Sequence, residues 1–353
     1  MNTHQQPHRP PAGRTAVDPW AATGNDPWAP ATPPASYASH TPGAASSAIG
    51  SPLDGDRRRL AKTGATGGTV RRVLRSLFSS ARTPAEMVQQ ATLAQAPVTT
   101  GRRIAVLSTR GGAGKTTAAA LLSRLYSAVR PDTVAVLDLD PGRGSLALRL
   151  GLDGAAPVDA LVRHTTGGKL PSAAALGGLL GHAAPNLFAT GPRYDADAFP
   201  AGSSEPADAA ALRATCSAVS RYFPITLLDC PTGFEAPATQ AALADAHAAV
   251  YVVPSTLSGL DDALGQLARW RRDPRLVGIP LVVLVLQQDM ASPLAALDQA
   301  ARLSRLGFDA YAIGYDRHLA AGADVVLRLL GPDHRVAVAT VAGQVLRLAN
   351  GAR

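Results

Sequence analysis

The short run Ile104-Ala105-Val106-Leu107-Ser108 leads into Thr109-Arg110-Gly111-Gly112-Ala113-Gly114 and then Lys115-Thr116-Thr117, where an apolar helical pattern starts. A strand that turns into a helix within six residues is the βα corner of a parallel sheet. Gly111, Gly112 and Gly114 open backbone angles closed to other residues, so successive N–H groups around Ala113 can point at one anion. The helix start adds the positive end of its dipole. At this spacing Lys115 reaches the β- and γ-phosphates of a nucleoside triphosphate, and the Thr116 hydroxyl is a ligand for Mg²⁺. Thr117 completes the phosphate-binding turn. No Gly-x-Gly-x-x-Gly follows a strand, which sets aside a dinucleotide-dependent hydride transfer.

The rest of the chain beyond Arg103 alternates between strand and helix patterns. Strands are expected at 103–108, 133–138, 186–190, 225–229, 249–253, 281–286 and 309–313. Helices are expected at 116–129, 207–221, 258–271, 293–306 and 336–349. Near-continuous apolar strands separated by helices predict an α/β fold, a mostly parallel sheet covered on both faces. No second globular domain is expected. Acidic residues close two of these strands: Asp138-Leu139-Asp140-Pro141 and Asp229-Cys230-Pro231-Thr232-Gly233. Carboxylates at the C-terminal edge of strands near such a loop are suited to a metal and a phosphate. Cys216 and Cys230 form no metal-binding pair and are read as small apolar filler.

Charge divides the chain into three. Its net charge is +8, and residues 55–103 carry all of it, with ten basic residues against Asp56 and Glu86. Residues 1–56 hold ten prolines and no apolar periodicity, and are expected to be disordered. They contain a repeat, Asp18-Pro19-Trp20-Ala21 and Asp26-Pro27-Trp28-Ala29, read as a pair of docking motifs. Residues 57–101 form a basic connector. Within it Val70, Val73, Leu74, Leu77 and Phe78 fall on one helical face, with Arg71, Arg72 and Arg75 opposite. Thr83-Pro84-Ala85-Glu86 reads as the opening of a second helix. The N-terminus lacks a charged-then-apolar leader and no stretch reaches membrane-span length, so a cytoplasmic setting is expected, with contact at the inner membrane face as an extension. Residues 102–353 are the expected catalytic domain.

The loop at 109–117, with Thr109 where a strict P-loop has Gly, resembles the deviant P-loop of the MinD/ParA-like ATPases. The Asp138–Pro141 and Asp229–Gly233 segments are similar to that family's own. The resemblance implies ATP and Mg²⁺ as ligands, an ATPase slow without a partner, and an ATP-dependent homodimer. It assigns the attacking water to Asp140, support from Asp138, water-mediated Mg²⁺ binding to Asp229 and γ-phosphate sensing to the Gly233 N–H. Gln287 stands where the family uses Asn to read the base, and Tyr315 and Asp316 where it packs the base. Arg110 replaces the family's signature lysine, which reaches the partner's phosphates; arginine keeps the charge with a different geometry. The organisation of tail, connector and ATPase resembles the Pro-rich ATPases associated with type VII secretion. Secretion, partitioning and division machines all remain open as the output, as does a scaffold that does not hydrolyse. Protein, anionic lipid through 69–80 and, less favoured, non-specific DNA remain open as partners of the connector.

Overall fold

In the computed structural model the described residues are 92–140, 144–153, 155–166, 172–192 and 208–352. The Pro-rich stretch 1–56, the Asp-Pro-Trp-Ala pair, the amphipathic stretch 69–80 and the helix signal at 83–86 lie outside them. Eight strands form one sheet: β1 (Arg102–Ser108), β2 (Val134–Asp138), β3 (Gly181–Ala184), β4 (Leu187–Ala189), β5 (Ile225–Thr232), β6 (Ala248–Pro254), β7 (Leu281–Leu286) and β8 (Asp309–Ile313). Their order is β3-β4-β2-β5-β1-β6-β7-β8. All pairings are parallel except β3 with β4.

The central strands are buried on both faces, which is why they read as unbroken apolar runs. Ile104 and Val106 of β1 pack with α1 (Lys115–Val129) and the last helix, α10 (Pro332–Gly351). Ala105 and Leu107 point the other way. The helices α3 (Val158–Thr165), α4 (Ala173–Leu179), α5 (Ala209–Val219), α6 (Pro237–Ala244), α7 (Leu257–Trp270) and α8 (Ala296–Arg305) cover that second face. Two short helices, α2 (Leu146–Arg149) and α9 (Arg317–Ala320), sit at the sheet's C-terminal edge. Helix α1 buries Leu121, Leu122, Leu125, Tyr126 and Val129 at helical spacing, and stops at Arg130, held extended before Pro131. Tyr126 is fully buried and donates to the Ala342 carbonyl at 2.7 Å, stapling α1 to α10.

The chain reaches β1 along the opposite, N-terminal edge of the sheet. Ala94 is fully buried there. Arg130 donates to the carbonyls of Ala94 (3.0 Å) and Ala96 (2.7 Å), and Asn350 donates to that of Pro97 (3.2 Å).

The expected strands and helices are all present at close to the expected limits. Strand β3 and helices α2, α3, α4, α6 and α9 were not foreseen. Cys216 and Cys230 are free and buried in the second core, as small apolar filler should be.

Candidate functional site

Strand β1 ends at the Gly-rich turn, and the turn leads directly into α1. Gly112 and Gly114 adopt positive φ angles of 70° and 95°. A Cβ on Gly114 would come within 2.7 Å of Leu286 Cδ1 and 3.0 Å of Gln288 Nε2, so β7 closes tightly on the loop. Thr109 is tied to Tyr251 of β6 through their hydroxyls at 3.0 Å. The loop opens into a cavity of about 600 Å³ lined by Gly111, Gly112, Gly114, Lys115, Thr116 and Thr117 on one side. Asp140, Ser145 and Arg149 close a second side, and Gln287, Gln288, Gly314, Asp316 and α9 form the far end.

Lys115 is 8% exposed and donates to the Thr232 hydroxyl at 2.9 Å. The Thr116 hydroxyl is hydrogen-bonded to Asp229, which is 2% exposed. Burial pushes the Asp229 carboxyl well above the usual carboxylate range, and Asp138 adds to this; Thr116 and Lys115 oppose it. The buried Asp229 Oδ1 has no hydrogen-bond partner among the described residues. An orphaned carboxylate oxygen beside a P-loop hydroxyl fits a hydrated divalent cation.

Asp138 acts on the backbone. It accepts from the N–H of Asp140 (3.1 Å) and of Leu146 (3.4 Å), drawing in the loop that presents Asp140. Gly144 passes so close that a Cβ there would overlap the Asp138 carboxylate at 1.8 Å. Asp316 is similarly committed. One oxygen caps α9 through the N–H groups of His318 (2.8 Å) and Leu319 (3.2 Å), and the other accepts from Gly331 (3.3 Å) and meets His334 Nδ1 at 2.9 Å. Burial alone would raise its pKa; the hydrogen bonds from His334, Gly331 and Leu319 outweigh it and hold the carboxyl below the usual range.

The expected site residues thus separate. Gly111, Gly112, Gly114, Lys115, Thr116, Thr117, Asp140 and Gln287 line one cavity. Ala113 is fully buried beneath the loop. Gln287 donates to the Asp289 carbonyl at 3.1 Å. Gly233 has φ 99°, and its N–H donates to the Ser108 carbonyl at 2.9 Å rather than into the cavity. Tyr315 lies off the cavity wall, between Gly314 and Asp316, which are on it. Arg110 is turned toward α7, where its Nε is paired with Asp262. Among the wall residues not foreseen are Thr232, Gln288 and Arg149, whose Nη1 donates to the Leu319 carbonyl at 2.9 Å.

Residues 104–308 match the family model described as the CobQ/CobB/MinD/ParA nucleotide binding domain. The chain belongs to this family. Its fold is similar to that of a ParA family ATPase from Chlorobium tepidum, with a TM-score of 0.54 at 14% identity, covering 69% of this chain and 98% of the other. It is likewise similar to the cell division ATPase MinD of Pyrococcus furiosus, with a TM-score of 0.51 at 20% identity, covering 70% and 99%. Among curated proteins it is 28% identical over 254 residues to the ESX-1 secretion-associated protein EspI of Mycobacterium tuberculosis, across 66% of this chain. That match spans 34% of the EspI chain.

Proposed function

We propose that this chain is an ATP-binding and ATP-hydrolysing switch that dimerises on nucleotide and regulates the positioning or activity of a cellular machine. The observation that carries this reading is the meeting of Lys115, Thr116 and Asp229, with one Asp229 oxygen unpartnered among the described residues. The N–H groups of residues 111–117 would hold the phosphates, and Lys115 would leave Thr232 to bridge the β- and γ-phosphates. Bound Mg²⁺, held by Thr116 and through water by Asp229, would neutralise charge on the phosphate oxygens. Asp140, held in place through Asp138, would orient the attacking water. Gln287 and Gly314 border the end that would take the base, with Tyr315 behind them. Arg110 would leave Asp262 to reach a partner's phosphates.

The secretion-associated name of the curated relatives supports a secretion component as the protein partner. The division proposed is a tail at 1–56, a basic connector at 57–101 and the ATPase at 102–353, working in the cytoplasm. No helix among the described residues is long and apolar enough to cross a membrane.

ATP turnover and nucleotide binding by wild type, Lys115→Ala and Asp140→Ala test the reading. Lys115→Ala should lose binding, while Asp140→Ala should bind and not turn over. Equal, negligible turnover in all three, with binding retained in wild type, favours the second reading, a nucleotide-binding scaffold. That alternative draws on the Gly233 N–H and the Arg110 Nε, both engaged within the chain.

A further inference from the structure

The cavity wall holds a half-buried arginine with no carboxylate partner among the described residues. Of the described residues that line the cavity, Lys115 and Arg149 are the cations and Asp140 and Asp316 the carboxylates. Asp316 is already committed to α9, Gly331 and His334. The Arg149 Nη1 donates to the Leu319 carbonyl at 2.9 Å, while Nε and Nη2 donate to none of the described residues. Burial pushes the guanidinium below its usual pKa, and no neighbouring carboxylate opposes the shift. The side chain is well placed. Its bond to Leu319 joins the helix that follows β2 to the helix that follows β8, although β5, β1, β6 and β7 lie between those strands. The Val325 N–H donates to the Arg149 carbonyl at 2.7 Å, a second tie between the same two regions.

We infer that Arg149 binds the nucleotide's α-phosphate, as a second cationic contact beside Lys115. This rests on the nucleotide reading of the cavity and adds a binding residue to it. A staple between α2 and α9 does not require a charge: the Val325 bond is made by backbone, and a neutral amide could donate to the Leu319 carbonyl. A half-buried cation without a counterion is costly, and an anion in the cavity relieves that cost. The free donors of a guanidinium fork suit two phosphate oxygens. The same charge offsets Asp140, which stands on the same side of the cavity and repels phosphate. The wall fixes the place along the nucleotide. Lys115, beside Thr232, would take the β- and γ-phosphates. Leu319 belongs to the other end, with Gly314, Asp316 and Ala320. A guanidinium held to Leu319 therefore faces the stretch between Lys115 and the nucleoside, where the α-phosphate lies.

The test compares two ligands in the full-length chain by calorimetric titration, without any turnover. ADP carries an α-phosphate joined to a nucleoside; inorganic pyrophosphate fills the Lys115 end alone. Arg149→Gln should weaken ADP by about tenfold, the loss of a charge-assisted contact, and pyrophosphate by less than about twofold. Retained pyrophosphate binding also shows that the variant is folded and its Gly-rich loop intact. Arg149→Lys keeps the charge as a single point and should bring ADP to within about threefold of wild type. Unchanged ADP affinity in Arg149→Gln overturns the proposal. So does an equal loss for both ligands, which would mean that the residue supports the loop and not the α-phosphate, or an Arg149→Lys variant as weak as Arg149→Gln. A wild type that binds neither ligand removes the nucleotide reading and this contact with it, whereas a wild type that binds both with Arg149→Gln unaltered removes this contact alone.

Discussion

Replacing Thr232 by valine should tighten nucleotide binding. The Lys115 ammonium is 8% exposed and donates to the Thr232 hydroxyl at 2.9 Å. A phosphate must take the lysine from that partner. A hydrogen bond to a buried charged group contributes about 1.5–3 kcal/mol, and at the open mouth of this cavity the lower figure, reduced to about 1 kcal/mol by hydration, is the better guide. Valine keeps the volume of threonine and removes the acceptor. The free protein should therefore lose about 1 kcal/mol, a fall in Tm of roughly 2–4 °C for a domain of this size. ADP affinity should rise by about fivefold, since the bound state no longer gives up the Lys115–Thr232 contact. Thermal denaturation of the free protein and calorimetric titration with ADP measure the two halves. Weaker binding with an unchanged Tm would refute the reasoning, because Thr232 would then serve the nucleotide and not the free lysine.

Gly114→Ala should destabilise the chain by about 2–4 kcal/mol in urea melts, from a left-handed backbone angle of 95° and a Cβ 2.7 Å from Leu286 Cδ1. The Arg110–Asp262 pair is surface-exposed and worth about 0.2–1 kcal/mol, and a homodimer gives up two of them, so Asp262→Asn should lower the concentration needed for ATP-dependent dimerisation by about 2- to 30-fold in sedimentation velocity. An unchanged midpoint would mean that the pair does not compete with dimer formation. Burial, reinforced by Arg103 and Arg102, depresses the His247 pKa to about 4, so between pH 6.5 and 4 the unfolded chain binds the extra proton. Stability should be independent of this group above pH 6.5 and fall as pH drops toward 4. The loss is about 1 kcal/mol, because the half-exposed ring is screened. Urea melts of wild type and His247→Gln at pH 7, 5.5 and 4.5 should diverge only at the lower values.

Much of the sheet was legible because central parallel strands are buried on both faces and keep an apolar run. Strand β3 was not. Gly181-His182-Ala183-Ala184 has no alternation, and it pairs antiparallel to β4 at the sheet edge, where a Cβ on Gly181 would come within 2.7 Å of Ala155 Cβ. The Gly-rich loop was legible as a strand-to-helix turn, since its backbone signal is local. The remainder of the cavity wall depends on long-range register. Asp229-Cys230-Pro231-Thr232 reads as a strand end, yet β5 continues and pairs Thr232 with Ser108, which delivers its hydroxyl to Lys115. Arg149 reaches the cavity from a one-turn helix far from the loop in sequence. Asp316 lines the far end of the cavity, but nothing in its neighbours in sequence reveals that His334 and Gly331 already occupy its second oxygen.

The strap formed by Ala94, Ala96 and Pro97 has a mechanical meaning. A partner that pulls on the tail loads first the side-chain bonds from Arg130 and Asn350 to this strap, which can open one after another at low force. The load then reaches β1, clamped in parallel register between β5 and β6, where many backbone bonds must shear together. The far end of β1 is the Gly-rich loop. Tension entering from the N-terminal side would thus be absorbed by the strap before it could distort the cavity beside that loop.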